Sequence, residues 1–297
     1  MSPAAGSLEV RRPFRHLLAV PSFYRLGFAA SRRLPARLLY EVGDAVAVAT
    51  YLTCRAQART LRANLARLFP RASDRERARL ARRIFRNYAR YLVDYGRFRW
   101  APPEGFETVL PVIEGAANLQ AAFAPGRGVI LVTGHVGNWE LGGAFFGHRG
   151  HKVNVVTLPD GDRQIDAIRQ TYRGQYSIAT IVLDGTPFAP IEMMAALRRG
   201  EMVAMLVDRW QGADSILAAF LGGMLALPRG PFALSRATGA PVLPAFVVRE
   251  GGAYKGIVEP PFVVSDDRLE PYATRVAETL ERIIRRYPDQ WYHFVPL

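Results

Sequence analysis

The sequence predicts an α/β fold: a central, mostly parallel sheet flanked by helices, preceded by a helical segment suited to docking on a membrane. Three observations predict it. Over residues 103–297, short apolar runs bounded by Gly, Pro or charged residues alternate with amphipathic stretches, the pattern of parallel strands joined by crossover helices. The first third shows three- and four-residue periodicity instead of strand alternation. It also holds the charge: residues 1–99 carry twenty-one Arg against six acids, whereas residues 100–297 carry eighteen basic residues against twenty acidic ones, for a net charge of +13.

Met1–Ser7 lacks a basic leader region, and no small-residue cleavage site follows an apolar run, so a secretion signal is not expected. Residues 34–54 are the most apolar early stretch, interrupted by Arg37, Glu41 and Asp44. A charge at the centre of a span costs about 2.5–3.5 kcal/mol on insertion scales, which favours a helix lying in the membrane plane over one crossing it. A buried core helix is the equal alternative. From Ser73 onward Leu80, Ile84, Tyr88, Tyr91, Leu92, Tyr95 and Phe98 recur at helical steps. Ser73 and Glu76 have the spacing of a capping box, and Pro102-Pro103 stops the helix. Residues 1–102 are thus expected as a basic, amphipathic helical arm and residues 103–297 as the α/β domain.

Within that domain residues 129–133, 153–158, 178–183, 203–207 and 242–248 read as strands. Residues 140–146, 164–175, 191–199, 231–238 and 272–286 read as helices. Such sheets place chemistry at the C-terminal ends of strands. The single cysteine, Cys54, excludes a disulfide framework and a multi-cysteine metal site, and it suits a reducing compartment. Only Lys152 and Lys255 among the 39 basic residues are lysines; a coding bias accounts for Arg over Lys but not for the charge lying at one end. A basic arm suits nucleic acid, an anionic membrane or an acidic carrier protein. It lacks the aromatic-plus-glycine signature of an RNA platform, so nucleic acid is not the expected partner.

The most informative stretch runs from Val129 to Gly143. An apolar strand ends at Thr133, Gly134 turns the chain, and His135 follows, with Glu140 in the first turn of the next helix. Five residues apart on one continuous helix, the two side chains would diverge by about 140°. They meet only if His135 sits on the turn before the helix, which Gly134 and Gly137 permit. A histidine at a strand end with a carboxylate to orient its ring is a general-base arrangement; a histidine that merely bonds a turn is the structural alternative. No Ser or Cys lies in a G-x-S-x-G turn, so no covalent intermediate is expected. Asp208 and Arg209, at another strand end, face the same cleft; Arg209 either pairs with Asp208 or binds an anionic headgroup. His148-x2-His151 has metal-like spacing but no nearby carboxylate or Cys, so a polar loop and no metal are expected.

These residues carry a resemblance to the lysophospholipid acyltransferase superfamily, and within it to the lipid A late-acyltransferase branch, with its lauroyl and myristoyl transferases and mycobacterial mannoside acyltransferases. The His-x4-Asp/Glu motif matches His135 and Glu140. The Asn-Leu-x3-Phe-Pro element matches Asn64-Leu65 and Phe69-Pro70, and a strand ending in Asp-Arg/Gln matches Val207-Asp208-Arg209. The run from Phe220-Leu221-Gly222 to Pro228-Arg229-Gly230-Pro231 and the closing Tyr287-Pro-Asp-Gln-Trp291 match as well.

The resemblance implies an O-acyltransferase with His135 and Glu140 as its catalytic pair, moving a fatty acyl group from acyl-ACP or acyl-CoA to a hydroxyl of a membrane glycolipid. Arg173, before Gly174, would hold a phosphate or pantetheine group; a solvated cation at a helix end is the equal alternative. Asp208 and Arg209 would line the substrate cleft, with Gly222, Arg229 and Gly230 shaping its floor and either backbone N–H groups there or Arg229 stabilising the oxyanion; a simple turn is the alternative. No cofactor beyond the donor is expected, and the chain is expected as a monomer at the cytoplasmic face of the inner membrane, peripheral or monotopic. The tail after Trp291 lacks the aromatic and basic extension common in lipid A enzymes, so a lysophospholipid or specialised lipid stays open as acceptor. The rival class is a non-enzymatic protein that binds anionic lipid or nucleic acid through the Arg-rich arm and is indifferent to His135.

Overall fold

Helical periodicity in the first third produces four helices in the computed structural model, which describes residues 21–98, 105–159, 163–210, 212 and 214–297. Met1–Ser7, the Pro102-Pro103 stop and the boundary between the two expected segments lie outside the described residues. The four helices are α1 (Pro21–Arg33), α2 (Ala36–Thr53), α3 (Arg55–Leu68) and α4 (Asp74–Phe98). The capping box forms as expected: the Ser73 N–H donates to Glu76 Oε2 at 2.7 Å and the Glu76 N–H donates to Ser73 Oγ at 3.3 Å. Leu80, Ile84, Tyr91, Tyr95 and Phe98 bury the inner stripe of α4.

α2 lies along α4. Leu39, Ala47 and Thr50 face inward, and Gly43 packs beside Ala89 and Val93. Asp44, one of the charges that argued against a span, accepts hydrogen bonds from Arg90 Nε (2.9 Å) and Nη2 (2.7 Å) and from Arg86. Val42, Val48 and Leu52 stay 54%, 45% and 62% exposed, so α2 is apolar on its outer side too. Among the described residues no helix is long and apolar enough to cross a membrane. Leu61, Leu65 and Leu68 of α3 and Ile84 and Phe85 of α4 join the same core as Ile130, Val132 and Trp291, so these helices share the interior of the sheet region. A buried carboxylate ties them further: Asp94 of α4 accepts hydrogen bonds from the hydroxyls of Tyr40 on α2 and of Tyr254 (2.6 Å for the latter), and burial pushes its pKa up.

The sheet has seven strands: β1 (Val112–Glu114), β2 (Val129–Thr133), β3 (Val153–Thr157), β4 (Ile178–Val182), β5 (Met202–Leu206), β8 (Val242–Glu250) and β9 (Ala253–Val258). Their order is β1-β9-β8-β2-β5-β3-β4, parallel throughout except for the antiparallel β8–β9 pair. β6 (Ser215–Phe220) and β7 (Gly223–Pro228) form a separate hairpin. The helices between strands are α5 (Gly105–Val109), α6 (Ala116–Phe123), α7 (Trp139–His148), α8 (Arg163–Gly174), α9 (Phe188–Arg198), α10 (Gly230–Thr238) and α11 (Glu270–Arg286). β2 is central and buried along its whole length, which is why it reads as an unbroken apolar run. Ile130 and Val132 face the core that holds α11, while Val129 and Leu131 face the one that holds α7.

The five strands and five helices read from the sequence are all present, with ends shifted by up to three residues. β1, β6, β7, β9, α5 and α6 were not anticipated. β1 has only three residues and is half exposed. In β6, Ile216, Ala218 and Phe220 point inward, but the outward Leu217 and Ala219 are apolar too, and that erases the alternation by which a half-exposed strand is recognised.

Candidate active site

β2 and β5 are neighbouring parallel strands with Thr133 opposite Leu206. Two residues beyond each strand end, His135 and Asp208 therefore arrive side by side. A Cβ on Gly134 would sit 2.9 Å from Leu280 Cδ2 and 3.3 Å from Asp208 Cγ, so a larger residue would crowd this carboxylate and push Leu280 aside. His135 uses both oxygens of Asp208: its backbone N–H donates to Oδ2 (3.0 Å) and its Nδ1–H donates to Oδ1 (2.7 Å). Asp208 is 1% exposed, whereas the His135 side chain keeps 21% of its surface. With Nδ1 engaged by an anion, the proton resides there and Nε2 carries the free lone pair.

Electrostatics favour that state. Burial, reinforced by the neighbouring Arg209 cation, pushes the His135 pKa down to about 4 against the opposing pull of Asp208. Burial alone would raise Asp208, but His135 and His293 hold its carboxyl well below the ordinary range. At neutral pH the pair is a neutral imidazole on a carboxylate anion.

The turn is braced from two sides. Gly137 has φ +64°, and a Cβ there would lie 2.0 Å from the Val247 carbonyl oxygen. Asn138 donates its N–H to that oxygen (2.7 Å) and caps α7 by accepting from the Leu141 N–H (3.0 Å). On the other side the C-terminal segment runs past: the Gly137 N–H donates to the Gln290 carbonyl (3.0 Å) and the Tyr292 N–H donates to the His135 carbonyl (2.8 Å). Asn64 of α3 holds this segment, its Nδ2 donating to the carbonyls of His293 (3.0 Å) and Val295 (2.8 Å). The His135 ring meets Trp139 edge-on at 5.2 Å, and Trp139 stacks on Tyr91 of α4.

Glu140 does not pair with His135, contrary to the sequence expectation. It accepts from Arg173 Nη2 (2.7 Å) and Nε (3.4 Å), while Arg173 Nη1 donates to Thr180 Oγ1 (3.2 Å). Glu140 and Arg173 are 8% and 5% exposed; a charge so buried requires a counter-charge, and each supplies it to the other. Arg173 is therefore committed to Glu140 instead of standing free for a phosphate or pantetheine group, and Asp208 is the partner of the ring instead of a substrate ligand. Arg209 adjoins the pair but bonds neither; its Nε is buried without a partner, and burial pulls its pKa down. Gly222 lies exposed in the β6–β7 turn, next to Leu221, whose N–H donates to Glu281 Oε2 (2.7 Å). Arg229 is exposed before α10, and Gly230 is that helix's first residue. Among the described residues no hydrogen bond or ion pair joins these three to His135 or Asp208. His151 stacks on Phe123 at 4.1 Å, and no group of three or more metal-ligating side chains occurs among the described residues.

The ion pair yields a test of stability. Arg173→Leu leaves a buried, uncompensated carboxylate and is expected to cost about 3–5 kcal/mol, Glu140→Leu strands the guanidinium in the same way, and the two together recover most of either loss. Urea midpoints for the two single variants and the double variant check this; additive losses would show that the pair is not coupled.

An apolar groove opens between α7 and the sheet. Leu131, Phe145, Val155, Ile178, Ala204 and Val258 line it, and Thr133, Trp139 and Glu140 stand at the end adjoining the His135 turn.

The model of the family described as bacterial lipid A biosynthesis acyltransferase matches residues 9–297. A phosphatidylinositol mannoside acyltransferase of Mycobacterium tuberculosis (strain ATCC 25618 / H37Rv) is 27% identical over 191 residues, 62% of this chain but only 59% of that protein's length. One from Mycolicibacterium smegmatis is 25% identical over 274 residues, 91% of this chain and 90% of that one. The lipid A biosynthesis lauroyltransferase of Escherichia coli (strain K12) is 27% identical over 269 residues, 88% of this chain and 86% of that one. Among solved structures, the 1-acyl-sn-glycerophosphate acyltransferase PlsC of Thermotoga maritima aligns with a TM-score of 0.41 and 16% identity, over 86% of this chain and 97% of that one.

Proposed function

The chain belongs to the bacterial lipid A biosynthesis acyltransferase family, and from that premise we propose that it transfers a fatty acyl group from a thioester, acyl-ACP or acyl-CoA, to a hydroxyl of a membrane glycolipid. The observation that carries this reading is a neutral imidazole, locked through Nδ1 to Asp208 and free at Nε2, beside an apolar groove. His135 Nε2 accepts the proton of the acceptor hydroxyl as that oxygen attacks the thioester carbonyl. Asp208 holds the tautomer and balances the imidazolium. The tetrahedral intermediate then collapses, the C–S bond breaks, and the departing thiolate takes the proton from Nε2. The donor's hydrocarbon chain would enter by the groove, which has about 60 Å³ of open volume and must widen to take it, with Glu140 at its end. The donor is a co-substrate, and these steps draw on no other cofactor. Phosphatidylinositol mannoside and lipid A, the lipids in the relatives' names, support a glycolipid acceptor.

Two experiments test this. Purified protein with radiolabelled acyl-ACP or acyl-CoA and a membrane lipid extract should produce a labelled lipid, and neither donor giving one would refute the reading. Mass spectrometry of lipids from cells lacking and regaining the chain should then identify acceptor and acyl length together.

The same reading seats the chain peripherally on the cytoplasmic face of the membrane, where both thioesters occur, with the outer side of α2 against lipid and the arginines of α3 and α4 attracting anionic headgroups. Val48→Asp with Leu52→Asp should weaken sedimentation with anionic phosphatidylglycerol vesicles by about tenfold or more, since each change replaces an inserted apolar side chain with a repelled carboxylate. Unchanged binding would place the docking surface elsewhere.

A further inference from the structure

The Asp208 carboxylate has a second imidazole beside it. His293 Nδ1 lies 3.7 Å from Asp208 Oδ2, the other oxygen from the Oδ1 that the His135 ring bonds. The His293 residue is 2% exposed, so it is out of reach of any substrate. Its Nδ1 is buried and makes no bond within ordinary hydrogen-bond distance, and a buried polar atom of that kind requires a reason. The segment that bears it is well held: the His293 carbonyl accepts from Asn64, the preceding Tyr292 N–H bonds the His135 carbonyl, and the ring lies 5.0 Å from that of Trp291. A buried carboxylate is costly unless several donors surround it. Oδ1 has the His135 ring, while Oδ2 has one backbone N–H and, slightly beyond it, this nitrogen.

We propose that His293 is a positioning residue of this site: its Nδ1–H points at Asp208 Oδ2 and fixes the carboxylate that orients His135. The role rests on the reading of His135 as the general base. As His135 takes up the hydroxyl proton, Oδ1 is drawn toward the new imidazolium; the dipole of His293 on Oδ2 keeps the carboxylate from following, and keeps it an anion. The interaction shortens from 3.7 Å when the carboxylate's charge is fully engaged, as catalytic hydrogen bonds commonly tighten in the reacting complex. Burial, opposed by Asp208, pushes the His293 pKa down, consistent with a neutral ring that donates from one nitrogen only. The charged or titratable groups facing His135 are Arg209, Asp208 and His293, and a substitution at His293 alters only the last.

The first test involves no acyl transfer. In wild-type protein labelled with 15N-histidine, long-range 1H–15N correlations at pH 7 should show His293 neutral with its proton on Nδ1; a bare Nδ1 overturns the proposal whatever the enzyme's activity. The second compares His293→Phe with His293→Asn, whose side-chain amide nitrogen stands near the place of Nδ1. With radiolabelled acyl-CoA or acyl-ACP and membrane lipid extract, the Phe variant should lose about tenfold in kcat with KM unchanged, the scale of one hydrogen bond to a charged group. Its His135 titration should move upward, because Asp208, short of a donor, pulls harder on the imidazolium. The Asn variant should restore both. A His135 titration that is the same in all folded variants, or an Asn variant as impaired as Phe, overturns the assignment. Should neither variant fold, the tautomer in the wild type still decides it.

Discussion

His135→Ala is expected to lower kcat for the proposed acyl transfer by about 10²–10⁴-fold, the usual contribution of a positioned acid–base group. The reason is local: at the end of β2 this ring is partly exposed, with Nδ1 engaged by Asp208 and Nε2 left to take the proton. The loss should fall on kcat and kcat/KM together, with KM little changed, because the proton moves only in the transition state. The pH profile of the wild type carries a matching signature. The ring must be neutral to accept a proton, and its pKa is depressed to about 4, so kcat/KM should stay level well below the ordinary histidine range near 6.5 and fall only as pH drops toward about 4. An alanine variant that keeps more than about a tenth of the wild-type rate would remove His135 from the role of base.

Asp208→Asn is the second large effect, with kcat reduced by about 10²–10⁴-fold and the fold retained. The asparagine can still accept the His135 backbone N–H through its carbonyl oxygen, but this turns its NH₂ toward the ring. An amide N–H there demands an acceptor at Nδ1, so the imidazole proton moves to Nε2, the nitrogen that must be bare. Geometry is kept and the tautomer is reversed. Steady-state kinetics with a circular dichroism control separate this from misfolding, and a folded Asn variant with near-normal kcat would break the link between the carboxylate and the ring. The same substitution discriminates between the two carboxylates of the site. Glu140 is bonded to Arg173, so its loss should register in unfolding midpoints as well as in rate.

The contrast shows where sequence reading succeeds and where it stops. β2 and His135 were legible because a central strand buried on both faces becomes a continuous apolar run, and Gly134-His135 ends it abruptly. α4 was legible because Ser73 and Glu76 set its start and seven apolar residues set its face. The partner of His135 was not. A local reading reaches for the carboxylate five positions on, whereas the real neighbour lies 73 residues away and depends on β5 pairing with β2 in one register. The clue was present in outline, since Asp208 follows a strand end just as His135 does, but strand order is a tertiary property. Arg173 looked like a free cation at a helix end for the same reason: its burial against Glu140 is set by how α7 and α8 pack. His293, a lone histidine in an aromatic tail, carried no local signal at all.

Asp94 has a bearing on how the molecule would work at a bilayer. Because this one carboxylate is shared by hydroxyls from α2 and β9, lifting α2 away from the body would strand a buried anion short of a donor, at a penalty of about 1–3 kcal/mol. The helix that would rest on lipid and the sheet that bears His135 therefore turn together as a single solid piece. On the proposed docking through α2, contact with the membrane would do more than raise local concentration: it would also set the bearing of the groove relative to the headgroup layer.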